Sequence, residues 1–127
     1  MATRTTKGAK ASPPVNGTIS IANDVLADLA GYAALESYGV VGMASPTVRD
    51  GVAQLLSREK LRRGVKIRHD AQGAVIVDLY VVVEHGTQIV EVSHNLSERI
   101  RYVVTSMAEV EVSAVDVHVQ GIKVRGE

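Results

Sequence analysis

The chain contains no cysteine, no phenylalanine and no tryptophan. Without cysteine there is no disulfide, no thiolate nucleophile and no cysteine-ligated zinc, a usage that fits a reducing cytoplasm. Without Phe and Trp the core must be assembled from Val, Ile, Leu and Ala. Few flat rings are then left for stacking bases or sugars, which counts against recognition of single-stranded nucleic acid. Net charge is also missing, because 14 Lys and Arg balance 14 Asp and Glu, so bulk charge selects no class of partner. Nor is there a long hydrophobic run. The longest, "AVIVDLYVVV", is too short to span a bilayer and is interrupted by Asp78. The positively charged N-terminus has no apolar stretch behind it, as a secretory leader would. The expectation is a cytoplasmic protein, at most peripheral to a membrane.

What is present is globular. Of the 127 residues, 46% are apolar and 22% charged, enough for one domain with a single core. Residues 1–16, "MATRTTKGAKASPPVN", combine Arg4, Lys7 and Lys10 with small residues and a Pro-Pro step. Such a segment buries too little apolar surface to offset ordering, and is expected to be a disordered basic tail. Residues 17–127 form the domain. A second basic cluster, Arg58, Lys60, Arg62, Arg63 and Lys66, is opposed only by Glu59. It is either a solvated helix end or a contact for an anionic surface.

The elements follow from periodicity. "GTISI" alternates as a short strand, and Asn23 or Asp24 is placed to cap a helix over "DVLADLAGYAALES", whose broad apolar face includes Val25, Leu26, Leu29, Ala30 and Ala33. "VVGMAS" reads as a strand, and "TVRDGVAQLLSREKL" as a shorter helix that Gly51 weakens. "VKIRH" and "AVIVDLYVVVE" form a hairpin across Asp70–Gly73. In the second of these strands Val75, Val77, Leu79, Val81 and Val83 share one face, while Ile76, Tyr80 and Val82 share the other with Asp78 and Glu84. That second face is too apolar to be wholly exposed, so partial cover or an interface is expected there. A long amphipathic helix carries the stripe Ile89, Val92, Leu96, Ile100, Val103 and Met107. A last strand, "VSAVDVHVQGIKV", ends the domain. The order β-α-β-α-β-β-α-β predicts an α+β fold, a small mixed sheet with two main amphipathic helices on one face.

Candidate chemistry is sparse. Glu84-His85 beside Gly86 has the residue types of an acid/base pair. It also has what a strand-to-helix junction needs, a glycine for a positive φ and Glu91 near the helix start. A catalytic pair needs in addition a group to orient the histidine and a pocket to exclude water, and the sequence supplies neither. His94 and Glu98 are one helical turn apart but on the polar face, and His69 and His118 lie on outward strand positions, so no metal set is assembled. No G-x-S-x-G elbow or phosphate-binding loop occurs. Asp78, central in a valine-rich strand, is expected to pair with Arg68 across the hairpin.

Several stretches together resemble the alkaline shock protein family over Gly17 to Val124. They are "GTISI", "AALESYGVVGM", "DGVAQLLSREKLRRGV", "VDLYVVVEHGTQIVEV" and "YVVTSMAEVEVSAVDVHVQGI". The chain departs from the family pattern at His85, where Tyr is usual, at Asp116, where Asn is common, at Ser37, where the family is apolar, and at Ala108-Glu109, where the family has Thr-Gly. The resemblance carries over no catalytic residue, cofactor or small-molecule substrate. It implies a non-enzymatic general or cell-envelope stress protein that acts as a scaffold through other proteins. It further implies a homo-oligomer, with a small membrane-anchor protein as one partner, peripheral to the inner membrane. The contact candidates are Ile76, Tyr80 and Val82 for a protein partner, and Arg58, Lys60, Arg62, Arg63 and Lys66 for an anionic surface. The alternative is a nucleic-acid or ribosome-associated module using residues 58–66.

Overall fold

A computed structural model of the protein describes residues 22–48 and 51–124. The expected tail and the strand at "GTISI" lie outside these residues. Helix α1 spans Asn23–Leu35, strand β1 Val40–Met43, a 3₁₀ helix Arg58–Gly64, β2 Val65–His69, β3 Val75–Glu84, α2 Ile89–Ala108 and β4 Val112–Lys123. The fold is α+β with a mixed sheet, as the sequence predicts.

β3 organises the sheet. β2 pairs antiparallel with its first half, Val65 opposite Leu79 through His69 opposite Val75. β1 pairs antiparallel with its last residues, Gly42 opposite Val82 and Met43 opposite Val81. β4 runs parallel along the whole of β3, from Val112 opposite Val75 to Lys123 opposite Glu84. Since β4 occupies one edge of β3 throughout, β1 and β2 lie end to end on the other.

Alternation along β3 sends Val75, Val77, Leu79, Val81 and Val83 into the core, all buried. They meet Leu26, Ala27, Ala30, Ala33 and Ala34 of α1 and Val92, Leu96, Ile100 and Val104 of α2. The buried row on α2 is a strict every-fourth-residue series ending at Val104. Met107, expected to continue the stripe, is 68% exposed, and Val25 of α1 is 49% exposed. α1 begins after Ala22, which offers no side-chain cap, and the expected capping residues Asn23 and Asp24 are its first helical residues.

The helix expected over "TVRDGVAQLLSREKL" is replaced by an extended stretch and the 3₁₀ helix. Gly51 takes φ +74°, which leaves the helical path. The backbone then finds partners on β1's outer side. Ser45 N–H donates to Gln54 O at 2.9 Å, Leu56 N–H to Met43 O at 2.9 Å, and Ala44 bridges Leu55. Within the 3₁₀ helix only Leu61 and Gly64 are buried, one three-residue turn apart.

Candidate functional site

α1 and α2 cover one face of the sheet. The other face, here called the open face, carries the side chains the sequence singled out. Asp78, at its centre, is only 5% exposed. Arg68 on neighbouring β2 meets it with both prongs, Nε donating to Oδ2 at 2.7 Å and Nη2 to Oδ1 at 3.2 Å. From β4, His118 Nε2 lies 3.2 Å from Asp78 Oδ1, and Asp116 Oδ2 accepts a longer contact from Arg68 Nη2 at 3.5 Å. The expected Arg68–Asp78 pair is therefore present, with His118 as a further partner. The Tyr80 ring stacks on the His118 imidazole, centroids 4.5 Å apart and planes 11° from parallel.

The guanidinium of Arg68, followed by His118, holds the Asp78 carboxyl below the usual carboxylate range against the opposing effect of burial. A carboxylate kept ionised in this way is a weak general base at neutral pH. The cluster ties β2, β3 and β4 together across the face.

Beyond Tyr80 the open face turns apolar and is covered from within the chain. Val82 is flanked on both neighbouring strands by glycines, Gly42 on β1 and Gly121 on β4. A Cβ added at Gly42 would stand 3.1 Å from Leu55 Cδ2, and one at Gly121 would stand 3.1 Å from Ala53 Cβ. The two missing side chains let residues 53–55 lie down over Val82, which is 4% exposed. Gln120 fastens the start of this loop, donating from Nε2 to Ser45 O at 3.2 Å and to Pro46 O at 3.0 Å. Of the three apolar contact candidates, Val82 is thus enclosed, Tyr80 is half-buried under its stack on His118, and Ile76 is half-buried.

The basic candidates divide likewise. Arg62 reaches Asp24 and Asp28 of α1, each at 3.0 Å, and the Arg58 guanidinium lies 5.7 Å from the centre of the Tyr32 ring. Lys60, Arg63 and Lys66 are exposed. Arg62 and Arg58 therefore fasten the 3₁₀ helix to α1.

A surface that the sequence pattern hid lies between the outer sides of α1 and α2. It is an apolar groove of about 360 Å³, floored by Val25, Leu29, Tyr32, Val103 and Met107. Arg99 also lines it, donating to Ala33 O at 3.2 Å and to Glu36 Oε1 at 3.3 Å. The signal available beforehand was width, since both apolar stripes are broader than one buried row requires.

Glu84-His85-Gly86 is a strand-to-helix junction. Gly86 has φ +92°, and the Thr87 hydroxyl donates to Glu84 O at 2.7 Å. His85 N–H donates to Lys123 O at 2.8 Å, while its side chain is exposed. His94 and Glu98 lie exposed on α2. Among the described residues no group of three or more His, Asp or Glu is arranged to hold a metal ion.

The sequence pattern of the alkaline shock protein 23 family, cell envelope-related function, matches residues 12–124. The chain belongs to that family. Among its relatives, the uncharacterized protein YloU of Bacillus subtilis is 39% identical over 109 residues, covering 85% of this chain and 90% of YloU. The uncharacterized protein Spy1614 of Streptococcus pyogenes is 39% identical over 113 residues, 88% of this chain and 93% of its own length. A second Bacillus subtilis relative, the uncharacterized protein YqhY, is 30% identical over 107 residues, 84% of this chain and 78% of YqhY. No solved structure gives a significant match. The alkaline shock protein 23 family is not a known enzyme family. The end of α2 is held by a residue in the left-handed region. Glu109 caps that helix in the left-handed conformation, φ 57°, with its N–H bonded to Thr105 O. This is the position where the family resemblance leads one to expect glycine.

Proposed function

We propose that this alkaline shock protein 23 family member is a non-enzymatic scaffold of the cell-envelope stress response. It acts as a homo-oligomer through protein contacts near the inner face of the cytoplasmic membrane. The carrying observation is the α1–α2 groove, a largely apolar cleft with Asp28, Glu36 and Arg99 among its lining residues. An apolar cleft with charged groups beside it suits an amphipathic helical segment of a partner, whose apolar side chains enter while polar ones meet the rim. The partner proposed is a small membrane-anchor protein. Among the described residues no helix is long and apolar enough to cross a membrane, so attachment through such a partner is the arrangement proposed.

The test is affinity purification from native lysate at low salt, with and without nuclease, using the wild-type chain and Met107→Glu. The charge would sit in the floor of the groove at an exposed position. Recovery of a membrane protein that resists nuclease and is lost in Met107→Glu supports the proposal. Recovery of RNA or ribosomal proteins, lost on nuclease treatment, would replace it with binding through Lys60, Arg63 and Lys66. Electrostatic binding of that kind weakens steeply as salt rises.

A further inference from the structure

β4 is twelve residues long, a strand of roughly 40 Å. Among the described residues it pairs with β3 alone and no other strand lies on its outer edge, although Arg101 Nη1 donates to Val112 O at its first residue. Such an edge is a template for another strand unless it is blunted by proline, lysine or bulges. β4 holds no proline, and its one lysine is the terminal Lys123. The shifts in its register with β3 fall at Ser113 and at Gln120, leaving Ala114 to Val119 regular between them. On the helix side of this regular stretch Val115, Val117 and Val119 pack against the core yet stay half-buried.

We infer that this edge pairs antiparallel with β4 of a second copy, about a twofold axis through Val117, so that two sheets become one. The inference rests on the oligomeric reading above and names its interface. The register follows from the side chains. Any shift by one residue sets a core-facing side chain opposite an open-face one, which the period of two forbids. Of the registers that keep the faces matched, an axis through Asp116 opposes two aspartates. An axis through His118 opposes two histidines and brings Asp116 against the irregular Gln120. The axis through Val117 sets Val117 against itself, Val115 against Val119 of the second copy, and Asp116 against His118 of the second copy. Apolar then meets apolar on the helix side, and acid meets imidazole on the open face, twice by symmetry. His118 keeps Asp78 on one side and gains an acid from the second copy on the other.

The absence of cysteine provides a clean test. Single variants Val115→Cys, Val117→Cys and Val119→Cys of the full chain are oxidised over a concentration series, alongside sedimentation velocity of the wild type. Only residues that face their own copy across the axis bring their Cα atoms within about 7 Å, the reach of a disulfide. Val117→Cys is expected to cross-link about tenfold or more faster than either neighbour, and mixing Val115→Cys with Val119→Cys is expected to restore a fast rate. A wild type that self-associates while Val117→Cys shows no such preference would overturn this interface and leave oligomerisation standing. A wild type that remains monomeric at every concentration would overturn both. Thermal melts of the reduced variants identify any that fail to fold, and the mixed pair reads the register without Val117→Cys.

Discussion

On the helix side of β3 five alternating side chains, Val75, Val77, Leu79, Val81 and Val83, are sealed under α1 and α2. On the opposite side the same strand presents Ile76, Asp78, Tyr80 and Val82, joined to an arginine, a histidine and a folded-back loop. The first face is held by area removed from water, which is insensitive to pH and tolerant of detail. The second is held by directed contacts, a two-pronged ion pair, a ring stack and two glycines whose emptiness admits Ala53 and Leu55. Burial within one strand thus has two origins. Val81 is buried because helices lie on it, whereas Asp78 is buried because its neighbours satisfy it.

Leu96→Ala on the helix side would break the comparison most severely. Leu96 is fully buried, and truncation leaves a cavity costing about 2–5 kcal/mol, to be read by urea unfolding. A smaller loss is expected for Gly121→Val, which drives two methyl groups toward Ala53. The cost is about 1–3 kcal/mol, and the specific signature is faster proteolysis within residues 51–56, with the helix-side core unchanged. Should cleavage there stay slow, the loop is not what covers Val82.

Asp78→Asn sharpens the contrast through pH. The carboxyl ionises more readily folded than unfolded, so its stabilisation is complete above the ordinary aspartate value of about 3.9. It is lost as the pH falls through the lower folded value. The variant is expected to be less stable than wild type by about 1–2 kcal/mol at pH 7, a modest figure because Arg68 is half in solvent. The gap should close below about pH 4. Leu96→Ala should show no such closure, and parallel pH profiles for the two variants would refute the distinction between the faces. The smallest change has the opposite sign. Glu109→Gly relieves a left-handed residue at the end of α2 and is expected to raise stability by about 0.5–1 kcal/mol in the same assay.

Much of this architecture was legible in the sequence. A β-branched run from Val75 to Val83, behind turn residues at Asp70–Gly73, marked the β2–β3 hairpin, and with it the Arg68–Asp78 pair. The junction at Gly86 was legible for the same local reason. What escaped depends on contacts distant in sequence. No periodicity reveals that β4 lies parallel on β3 with shifts at Ser113 and Gln120, and the Tyr80–His118 stack exists only in that register. The segment after Pro46 carries apolar spacing suited to a helix, yet free hydrogen-bonding groups along β1 draw it into an extended path. The groove was hidden because Met107 and Val25 fit the core pattern of an isolated helix, and only the packed pair of helices shows that Val104 takes the inner position.

The parallel pairing of β3 with β4 has a consequence for the newborn chain. Residues 75–84 leave the ribosome well before residues 112–123, with the twenty residues of α2 made in between. During that interval, of the described strands, β3 can hold its hairpin partner β2 and β1. Asp78 then has Arg68 but lacks His118, and one entire flank of the central strand is bare. The domain therefore completes its sheet only when β4 has emerged, and the waiting β3 is an inviting partner for any extended peptide nearby, including the same strand of a neighbouring nascent chain.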